Sequence, residues 1–492
     1  MNLGLNLISL LGIGGLCVVA WLGSENRRII PWNVIVFGIG LQLLVGFIVF
    51  GLGSGVVEGI NSLLNPILDA SEAGGRFLFG GSKSLLANDW VIGAGPGAAG
   101  RWLARAVGSG YVQVPGDRIG PDSLNPGFSY VLAFRALPQI IFFAGLVSLL
   151  YRIQIGGFSI LGLDIPKFNP MNAIVRVFAI VFQKTMKISG AESLSGAANI
   201  FVGIESAIAI KPFLPKMTRS EICAILTSCF GSIASSVLGL YAGFLRPSFP
   251  SIAGHLVSAS ILTIPACFVV AKILVPETEE PETMGSLPED VEDEDGKPKP
   301  SYMDSLIVGA LDGVKMAVGI AAVLIAILGV IALFNAPFNA LSNLVGGGDS
   351  LIVQFLQNPL RNLMGMLFVP LTALTGVATD WPTLWNASLL IGQRLFETSI
   401  PPYLALNGLA SSGVLNQRAL LIVSYVLCGF AHLPSYGIFV GGVASLVPER
   451  RGEISALGFK SLWAATLATL MTGCVAGLFY GLLGDPTSVI GG

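Results

Sequence analysis

The sequence predicts an all-α polytopic membrane protein that has about eight transmembrane helices and two re-entrant hairpins. Hydrophobic residues make up 53% of the 492 residues and charged residues only 11%, whereas soluble domains average about 25% charged residues. Apolar runs long enough to cross a bilayer recur along the whole chain. Two further apolar regions are interrupted by Gly, Pro and polar residues, a pattern typical of segments that enter a membrane without crossing it.

Eight apolar runs have the length of a transmembrane helix. They cover approximately residues 3–23, 33–53, 129–151, 217–243, 253–275, 313–335, 418–447 and 459–484. The first run lacks the basic region of a signal peptide and is long enough to span, so it is assigned as a transmembrane helix. Gly and polar residues interrupt the fourth run at 231–236 and the seventh at 429–437. Both of these helices are therefore expected to unwind near the middle.

The two interrupted regions lie at about 188–215 and 361–403. Non-helical backbone is tolerated inside a bilayer only where protein or a water-filled cavity satisfies its N–H and C=O groups. Two interrupted segments in corresponding halves of a chain indicate the midplane binding site of a secondary transporter. Each region precedes one of the helices that is expected to unwind. The sequence therefore predicts a site formed by two hairpins and two broken helices.

Basic residues predict the topology, because short cytoplasmic loops are enriched in Lys and Arg. The basic residues that follow spans or flank the first hairpin are Arg27, Arg28, Arg152, Lys167, Lys211, Lys216, Arg219, Arg450 and Arg451. If both hairpins return to the side from which they enter, all of these residues lie on the cytoplasmic face and both termini are extracytoplasmic. The Gly-rich segment 81–127 is then an extracytoplasmic loop, and the acidic segment 276–301 is a cytoplasmic linker.

Composition excludes several classes of function. A net charge of −2 provides no basic surface for nucleic acid. The six cysteines lie in or beside apolar runs, without the close pairs of a zinc site or a disulfide framework, and are predicted to be small buried hydrophobes. The segment from Gly95 to Gly100 matches GxGxxG but lacks a surrounding βαβ unit, so it is predicted to be a loop. No cofactor is expected.

Polar residues concentrate in the first interrupted region. Glu192, Asn199 and Glu205 lie within fifteen residues of apolar sequence. A carboxylate in a membrane segment costs several kcal/mol unless it faces a cavity, a partner or an ion. The alternative is a tight helix crossing that uses Gly, Ala and Ser as contact residues, but this leaves both carboxylates unexplained. The stretch is therefore predicted to form part of a solute or ion site.

Several motifs together resemble the concentrative nucleoside transporter family. They are Asn199-Ile-Phe-Val-Gly203, Leu226-Thr227, Ser232 to Tyr241, Pro276-Glu-Thr-Glu279, Tyr425-Val-Leu-Cys-Gly-Phe-Ala431 and Pro448-Glu-Arg-Arg451. Further matches are Ser24-Glu-Asn-Arg-Arg28, Gly75-Arg-Phe-Leu-Phe-Gly80 and Leu137-Pro-Gln-Ile-Ile-Phe-Phe143. The matches run in order from about residue 20 to the C-terminus, so the motifs are specific collectively, although each alone is weak.

The resemblance implies eight spans, two hairpins and an interfacial helix, and a homotrimer in the bilayer whose protomers move nucleosides inward with sodium or, in some members, protons. The implied division is into N-terminal helices (1–55), the interfacial helix (56–80), the extracytoplasmic loop (81–127), a scaffold helix with an amphipathic segment (128–187), a first transport half (188–275), the acidic linker (276–301), a second scaffold helix (302–360) and a second transport half (361–492).

The resemblance also implies a sodium site between the first hairpin and the broken helix after it. Asn199 and Ser232 match the family's side-chain ligands, and Val202, Ser232 and Ile233 match its backbone carbonyl ligands. Oxygen ligands at the ends of broken helices are suited to sodium. An isolated Asn or Ser at a helix crossing is more often a packing residue, but here both occur in matching contexts.

The substrate-binding motifs depart from the family pattern. The family's Gly-Gln-Thr-Glu becomes Gly203-Ile-Glu-Ser206, so Ile204 replaces a polar group that would contact a base, and Glu205 and Ser206 follow it. Its Asn-Glu becomes Thr398-Ser399, so the ribose-binding carboxylate is lost unless Glu397 replaces it. Its Gly-Phe-Ala-Asn becomes Gly429-Phe-Ala-His432. Residues Val237, Phe430 and Ser435 are retained.

These replacements predict a change in selectivity. Loss of a hydrogen-bonding residue removes the discrimination that unpaired polar groups provide. His432 introduces a group that titrates near neutral pH. It can bind a substrate hydroxyl, face an anion as imidazolium, pair with Glu205 or Glu397, or serve as a structural histidine bonded to backbone at the helix break.

The predicted function is secondary active import of a nucleoside or nucleoside-like small polar solute, coupled to sodium, by alternating access. The alternative is proton-coupled transport of a sugar-containing or anionic solute, with Glu205 or His432 as proton carrier. A channel and a binding-only sensor share the same polar residues. An enzyme is not predicted, because His432, Glu205, Glu397 and Ser435 match no known catalytic spacing. The predicted location is a cell membrane, and the absence of a transit peptide suits a bacterial inner membrane.

Overall fold

The computed structural model describes residues 3–51, 54–79, 132–154, 158–160, 163–165, 169–203, 205–208, 210–287, 301–344 and 351–482. The predicted extracytoplasmic loop, its GxGxxG motif, residues 288–300 of the acidic linker and Ile204 lie outside these ranges. The described chain is helical, as the sequence predicts, apart from one short antiparallel pair. This pair joins β1 (Phe158–Ile160) to β2 (Leu163–Ile165) with Ser159 opposite Asp164.

The N-terminal half of the described chain contains ten helices. They are α1 (Leu3–Leu22), α2 (Trp32–Gly51), α3 (Ser54–Phe79), α4 (Leu132–Arg152), α5 (Pro170–Met186), α6 (Gly190–Ala198), α7 (Glu205–Ile208), α8 (Arg219–Gly231), α9 (Ser235–Leu245) and α10 (Ile252–Leu274). Helix α3 occupies the place of the expected interfacial helix. The Asn61 side chain fixes α3 to the start of α10, since it accepts a hydrogen bond from Gly254 N (2.8 Å) and donates one to Ser251 O (3.1 Å).

The C-terminal half of the described chain contains eight helices. They are α11 (Tyr302–Leu344), α12 (Leu351–Gln357), α13 (Pro359–Leu374), α14 (Trp381–Phe396), α15 (Ile400–Ser411), α16 (Gln417–Leu427), α17 (Leu433–Leu446) and α18 (Arg451–Phe479). Helix α11 is longer than the predicted run at 313–335, because helical structure continues through the polar residues on both sides of it. Helix α18 likewise begins before the apolar run at 459–484.

Five described helices are long and apolar enough to cross a membrane, namely α1, α2, α10, α11 and α18, the last together with the short turn that precedes it. Burial divides them into interior and peripheral helices. In the most apolar window, 89% of α10 and 83% of the α18 span are buried, but only 11% of α11. Helices α10 and α18 therefore form the centre of the bundle, and α11 lies at its edge.

The two breaks predicted from the sequence are present. Helix α8 ends at Gly231 and α9 begins at Ser235, while α16 ends at Leu427 and α17 begins at Leu433. The first hairpin consists of α6 and α7 joined by a turn that begins at Asn199. Each hairpin is therefore followed by a broken helix.

The second hairpin begins later in the chain than predicted. The prediction placed it at 361–403, but α13 is a separate helix, and the hairpin consists of α14 and α15. The chain turns at Gly376, whose φ of +66° favours glycine. Asp380 then caps α14 by accepting a hydrogen bond from Thr383 N at 2.9 Å. A left-handed turn followed by an N-cap ends one helix and starts the next.

Glu25, in the loop between α1 and α2, connects this loop to two other helices. Its carboxylate accepts hydrogen bonds from Arg219 at 2.8 and 3.1 Å and also contacts Lys460. The hydrogen bond from Arg219, assisted by Lys460, lowers the pKa of Glu25 from 4.5 to about 2. The folded pKa lies below the unfolded one, so the stabilisation is complete above about pH 4.5 and is lost as the pH falls toward 2.

We therefore expect a Glu25→Gln variant to melt at a lower temperature than the wild type at pH 7, with the difference shrinking as the pH falls below 4. The measurement is thermal unfolding in detergent across this pH range. Glu58→Gln, at an exposed position of α3, is the control and should show no such trend. A Glu25→Gln difference that grows at low pH would contradict the assignment.

Candidate ion and substrate site

Glu192, which the sequence grouped with the site, lies at the opposite end of α6 from the hairpin tip. Its carboxylate accepts a hydrogen bond from Ser189 N at 2.8 Å, which forms one half of a capping box. Its other oxygen pairs with Lys272 Nζ at 2.9 Å. About 10 Å of helix separates Glu192 from Asn199. The inclusion of Glu192 in a solute or ion site is therefore wrong, because its role is to cap and anchor the helix.

Lys272 belongs to a larger buried cluster. Its Nζ also contacts Glu277 Oε2 at 3.1 Å, and Glu277 accepts a hydrogen bond from Thr218 Oγ1 at 2.9 Å. Thr218 and Glu221 form a second capping box, at the start of α8. The cluster thus joins the starts of α6 and α8 to the end of α10 and fixes the base of the first hairpin.

The side-chain amide of Asn199 at the hairpin tip contacts three oxygen atoms and the sulfur of Cys229, the latter at 3.5 Å. One of its two terminal atoms lies 2.9 Å from Gly203 O, 3.2 Å from Val202 O and 3.1 Å from Ser206 Oγ. The other lies 3.0 Å from Ser206 Oγ. The nitrogen and oxygen of an amide are assigned from their neighbours. As nitrogen, the first atom donates to these oxygens; as oxygen, it can share a cation with them.

The tip packs against the break between α8 and α9. Ser235 donates to Phe201 O from its backbone nitrogen at 2.9 Å and from its hydroxyl at 2.7 Å. From α10, Ser260 Oγ donates to Ile200 O at 3.1 Å. Two of the predicted sodium ligands, Ser232 and Ile233, are buried in this break. The two Ser235 hydrogen bonds therefore hold the segments that contain all four predicted sodium ligands against one another.

The predicted substrate residues of the first half are only partly described. Ser206 is buried in α7 and contacts Asn199 and Ser195, the latter at 3.4 Å between hydroxyl oxygens. Ile204 lies outside the described residues, and Glu205 is described only as the first residue of α7. Val237 is buried in the first turn of α9.

At the tip of the second hairpin, the side chains of Ser399 and Glu397 have different partners. Ser399 Oγ donates to Gly429 O at 2.9 Å, so it connects the hairpin tip to the break between α16 and α17. The adjacent Thr398 Oγ1 accepts a hydrogen bond from Ile400 N at 3.2 Å. Glu397 is the C-cap of α14, and its carboxylate accepts a hydrogen bond from Gln393 Nε2 at 2.8 Å in a pocket against α11. Glu397 therefore faces a different set of groups from Ser399.

His432 caps α17. Its Nδ1 accepts a hydrogen bond from Ser435 N at 3.2 Å and lies 2.8 Å from Ser435 Oγ. The Phe430 ring stands nearly perpendicular to the imidazole at 5.9 Å. A nitrogen that accepts from a backbone N–H carries no proton, so the cap requires neutral His432. Of the roles that the sequence left open for His432, this geometry matches the structural histidine at a helix break.

An alanine at position 432 is expected to destabilise the protein by about 1 kcal/mol, because it removes the cap. His432→Asn should retain most of this stability, since asparagine is among the best N-cap residues. The measurement is thermal unfolding of both variants beside the wild type. Equal losses for alanine and asparagine would show that packing of the imidazole matters more than the cap.

Arg394 is a buried polar residue that the sequence analysis missed. It is 1% exposed, and it donates to Val426 O and, at 3.0 Å, to Thr469 Oγ1. It thereby connects α14 to α16 and α18 behind the hairpin tip. The sequence could have indicated this residue, because an arginine within an apolar hairpin marks a structural or functional position.

Comparisons with known proteins agree with this architecture. Family models described as "Na+ dependent nucleoside transporter N-terminus", "Nucleoside recognition" (gate) and "Na+ dependent nucleoside transporter C-terminus" match residues 11–82, 133–248 and 255–477. The chain is 30% identical over 484 residues to an uncharacterised transporter of Haemophilus influenzae, covering 97% of this chain and 98% of that protein.

The chain is also similar to a named transporter and to a solved structure. The chain is 29% identical to sodium/nucleoside cotransporter 1 of Sus scrofa, covering 96% of this chain and 64% of that protein. The structure of CNTnw in an inward-facing substrate-bound state is similar, with a TM-score of 0.77, 28% identity and coverage of 98% of this chain and 99% of that one. The fold, the two breaks and these matches together show that the chain belongs to the Na+-dependent, or concentrative, nucleoside transporter family.

Proposed function

We propose that this protein imports a nucleoside or nucleoside-like solute together with sodium by alternating access. The observation that carries the proposal is the set of three oxygen atoms, Val202 O, Gly203 O and Ser206 Oγ, beside the Asn199 amide. The relative from Sus scrofa is named as a sodium/nucleoside cotransporter, and the similar structure is described as inward-facing and substrate-bound. Both descriptions fit a coupled transporter, and no enzymatic activity is proposed.

The oxygen atoms suit a sodium ion. The terminal amide atom of Asn199 that lies 2.9–3.2 Å from Val202 O, Gly203 O and Ser206 Oγ donates to these oxygens as nitrogen, and as oxygen it needs a cation between itself and them. Amide and carbonyl oxygens are ligands that hard cations prefer, and unwound helix ends supply such oxygens in sodium-coupled transporters. We propose that Asn199 and Val202 bind the ion from the hairpin, and that Ser232 and Ile233 bind it from the broken helix.

The same amide can serve the ion-free protein. With its nitrogen toward Val202 and Gly203, Asn199 satisfies both carbonyls by hydrogen bonds and stabilises the tip. Sodium would require the amide to rotate so that its oxygen faces the ion. Ion binding then fixes the tip in one arrangement, and by linkage sodium and substrate raise each other's affinity equally.

The substrate would bind between the two hairpin tips. The residues proposed to contact it are Ile204, Glu205, Ser206, Val237, Glu397, Thr398, Ser399, Phe430, His432 and Ser435. Among these residues, Ser399 holds the second hairpin tip to the break between α16 and α17, and Ser435 contacts His432 at the start of α17. We propose that the two hairpins and broken helices move as one unit against a scaffold that includes α4 and α11.

The protein is a multi-pass membrane protein. We propose that it resides in a bacterial inner membrane as a homotrimer with both termini extracytoplasmic. Arg219 and Lys460 both pair with Glu25, so these basic residues lie on the same face of the protein. Cytoplasmic loops are enriched in Lys and Arg, which supports this orientation.

The test is thermal stabilisation of the purified protein by nucleosides, nucleobases, sugars and small anions, each in sodium and in choline. A ligand that binds only the folded state raises the melting temperature. Stabilisation by uridine or adenosine that requires sodium is the expected result. Stabilisation by a non-nucleoside solute that depends on pH rather than on sodium would favour the proton-coupled alternative.

A further inference from the structure

The two broken helices touch each other through the backbones of their breaks. Gly231, which ends α8, and Gly429, in the break between α16 and α17, are both buried. A Cβ added to Gly429 would lie 2.5 Å from Gly231 O and 3.0 Å from Thr469 Cγ2 of α18. A methyl group cannot come so close to a carbonyl oxygen, so only glycine permits this approach of the two backbones. We call this contact between Gly231 and Gly429 the glycine crossing.

On one side, the glycine crossing adjoins the proposed sodium ligands of the first break. Ser232 and Ile233 follow Gly231 directly and are buried. Gly231 O belongs to the same planar peptide unit as Ser232 N, and Ser232 N donates to Ser228 O at 3.2 Å as the C-cap of α8. An ion bound by the carbonyls of Ser232 and Ile233 would therefore also fix the position of Gly231 O.

On the other side, the second hairpin holds the break between α16 and α17 at two points. Ser399 Oγ donates to Gly429 O at 2.9 Å. Arg394 donates to Val426 O, in the last turn of α16, and at 3.0 Å to Thr469 Oγ1. Both side chains are buried, with Ser399 0% and Arg394 1% exposed. A displacement of Gly429 is therefore passed to the tip of the second hairpin.

We propose that the glycine crossing couples sodium binding at the first break to the position of the second hairpin tip, with Gly429 as a positioning residue. The inference rests on the proposed function for the identity of the ion and the solute. Neither glycine has a side chain that could change rotamer and absorb a shift, and densely packed interiors transmit strain. Sodium then orders both tips, the first through its own ligands and the second through the crossing.

The test is the ratio of the dissociation constants of uridine in choline and in saturating sodium, measured in detergent. For the wild type this ratio should be about 5–150, the usual range for coupling between two sites. Because the ratio compares ion-free with ion-saturated protein, it reports the coupling and not the sodium affinity. In Gly429→Ala, whose added Cβ forces the breaks apart, the ratio should fall by at least about threefold.

Two further variants complete the test. Ser399→Ala frees the hairpin tip from Gly429 O, so the ratio should fall here as well, whereas loss of a direct contact with the solute would weaken binding equally in both media. Gly437→Ala is the matched control. Gly437 is an exposed residue of α17, and a Cβ added there meets no described atom within 4 Å. This variant should keep the wild-type ratio.

The outcomes separate this inference from the proposed function. If the wild-type ratio is large and both Gly429→Ala and Ser399→Ala keep it, sodium coupling stands, but the crossing only packs the breaks together and the inference is wrong. If the wild-type ratio is about one, sodium coupling and this inference are both contradicted. A melting temperature measured for each variant identifies one that is unfolded, and the other variant then decides.

Discussion

An Asn199→Leu variant is expected to lose the sodium dependence of substrate binding. Leucine has the same number and branching of side-chain heavy atoms as asparagine but supplies neither the amide oxygen nor the nitrogen, so both the ion-bound and ion-free arrangements of the tip lose their central group. An interaction of a charged group contributes about 1.5–3 kcal/mol, which corresponds to a roughly 10–100-fold loss of sodium affinity. The measurement is the sodium concentration that gives half-maximal substrate binding in detergent.

Asn199→Asp is the matched comparison. It keeps two oxygens of the same reach and loses only the donor, so sodium binding should persist or become tighter, while the ion-free protein should become less stable. Sodium-dependent binding that survives in Asn199→Leu at the wild-type concentration would place the ion elsewhere. Equal loss in both variants would indicate that the amide nitrogen, rather than the oxygen, is required.

The second large effect is expected from Lys272→Met. Lys272 and Glu192 are 4% and 0% exposed at their side chains and lie 2.9 Å apart. Removing the lysine leaves Glu192 as a buried carboxylate without its counter-ion, which typically costs 3–5 kcal/mol. We expect a large drop in melting temperature, with the first hairpin the region most affected, because this cluster holds its base.

Two further variants test whether the unpaired charge causes this loss of stability. Replacing both residues, Lys272→Met with Glu192→Gln, removes the fully buried charge. Only Glu277, whose side chain is 24% exposed, then remains without the lysine, so the double variant should recover a substantial part of the loss. Lys216→Met breaks an exposed pair with Glu282, whose side chains are 70% and 47% exposed, and should change stability by less than about 1 kcal/mol. If the double variant is no more stable than the single one, the charge is not the cause.

The broken helices could be predicted because the relevant signal is local. Gly231 and Ser232 end a helix within a few residues of where the pattern indicates, and so do Cys428 and Gly429 in the second half. The start of the second hairpin was predicted too early, because no comparable local signal separates α13 from the hairpin. Apolar residues continue from α13 into α14, and the sequence pattern does not distinguish the turn at Gly376 from the tip of the hairpin.

The role of Glu192 could not be predicted because its partner is distant in sequence. Lys272 lies 80 residues away, at the end of α10. Without the fold, a buried carboxylate beside an asparagine has the appearance of an ion site. The neighbouring Asn199 is different, since the oxygens that surround it belong to residues 202–206, within reach of a motif. Contacts between residues close in sequence are therefore accessible to sequence reasoning, whereas long-range ion pairs are not.

The polar pocket at Glu397 was only partly accessible. The sequence suggested that Glu397 could replace a missing carboxylate. The pocket in which Glu397 lies is also lined by Asn335 of α11 and Arg361 of α13, helices that the prediction assigned to scaffold or joined to the hairpin. His432 shows the same limit, because its capping bond to Ser435 depends on where α17 begins. In both cases the residue type indicated importance, and the fold determined which groups it meets.

Uptake of labelled uridine into sealed proteoliposomes tests the central claim most directly. An inward sodium gradient should drive accumulation above the external concentration, and replacing sodium with choline or collapsing the gradient should abolish it. Asn199→Leu should behave like the wild type in choline. Equal uptake with and without the sodium gradient, or uptake that never exceeds equilibration, would contradict sodium-coupled transport by this protein.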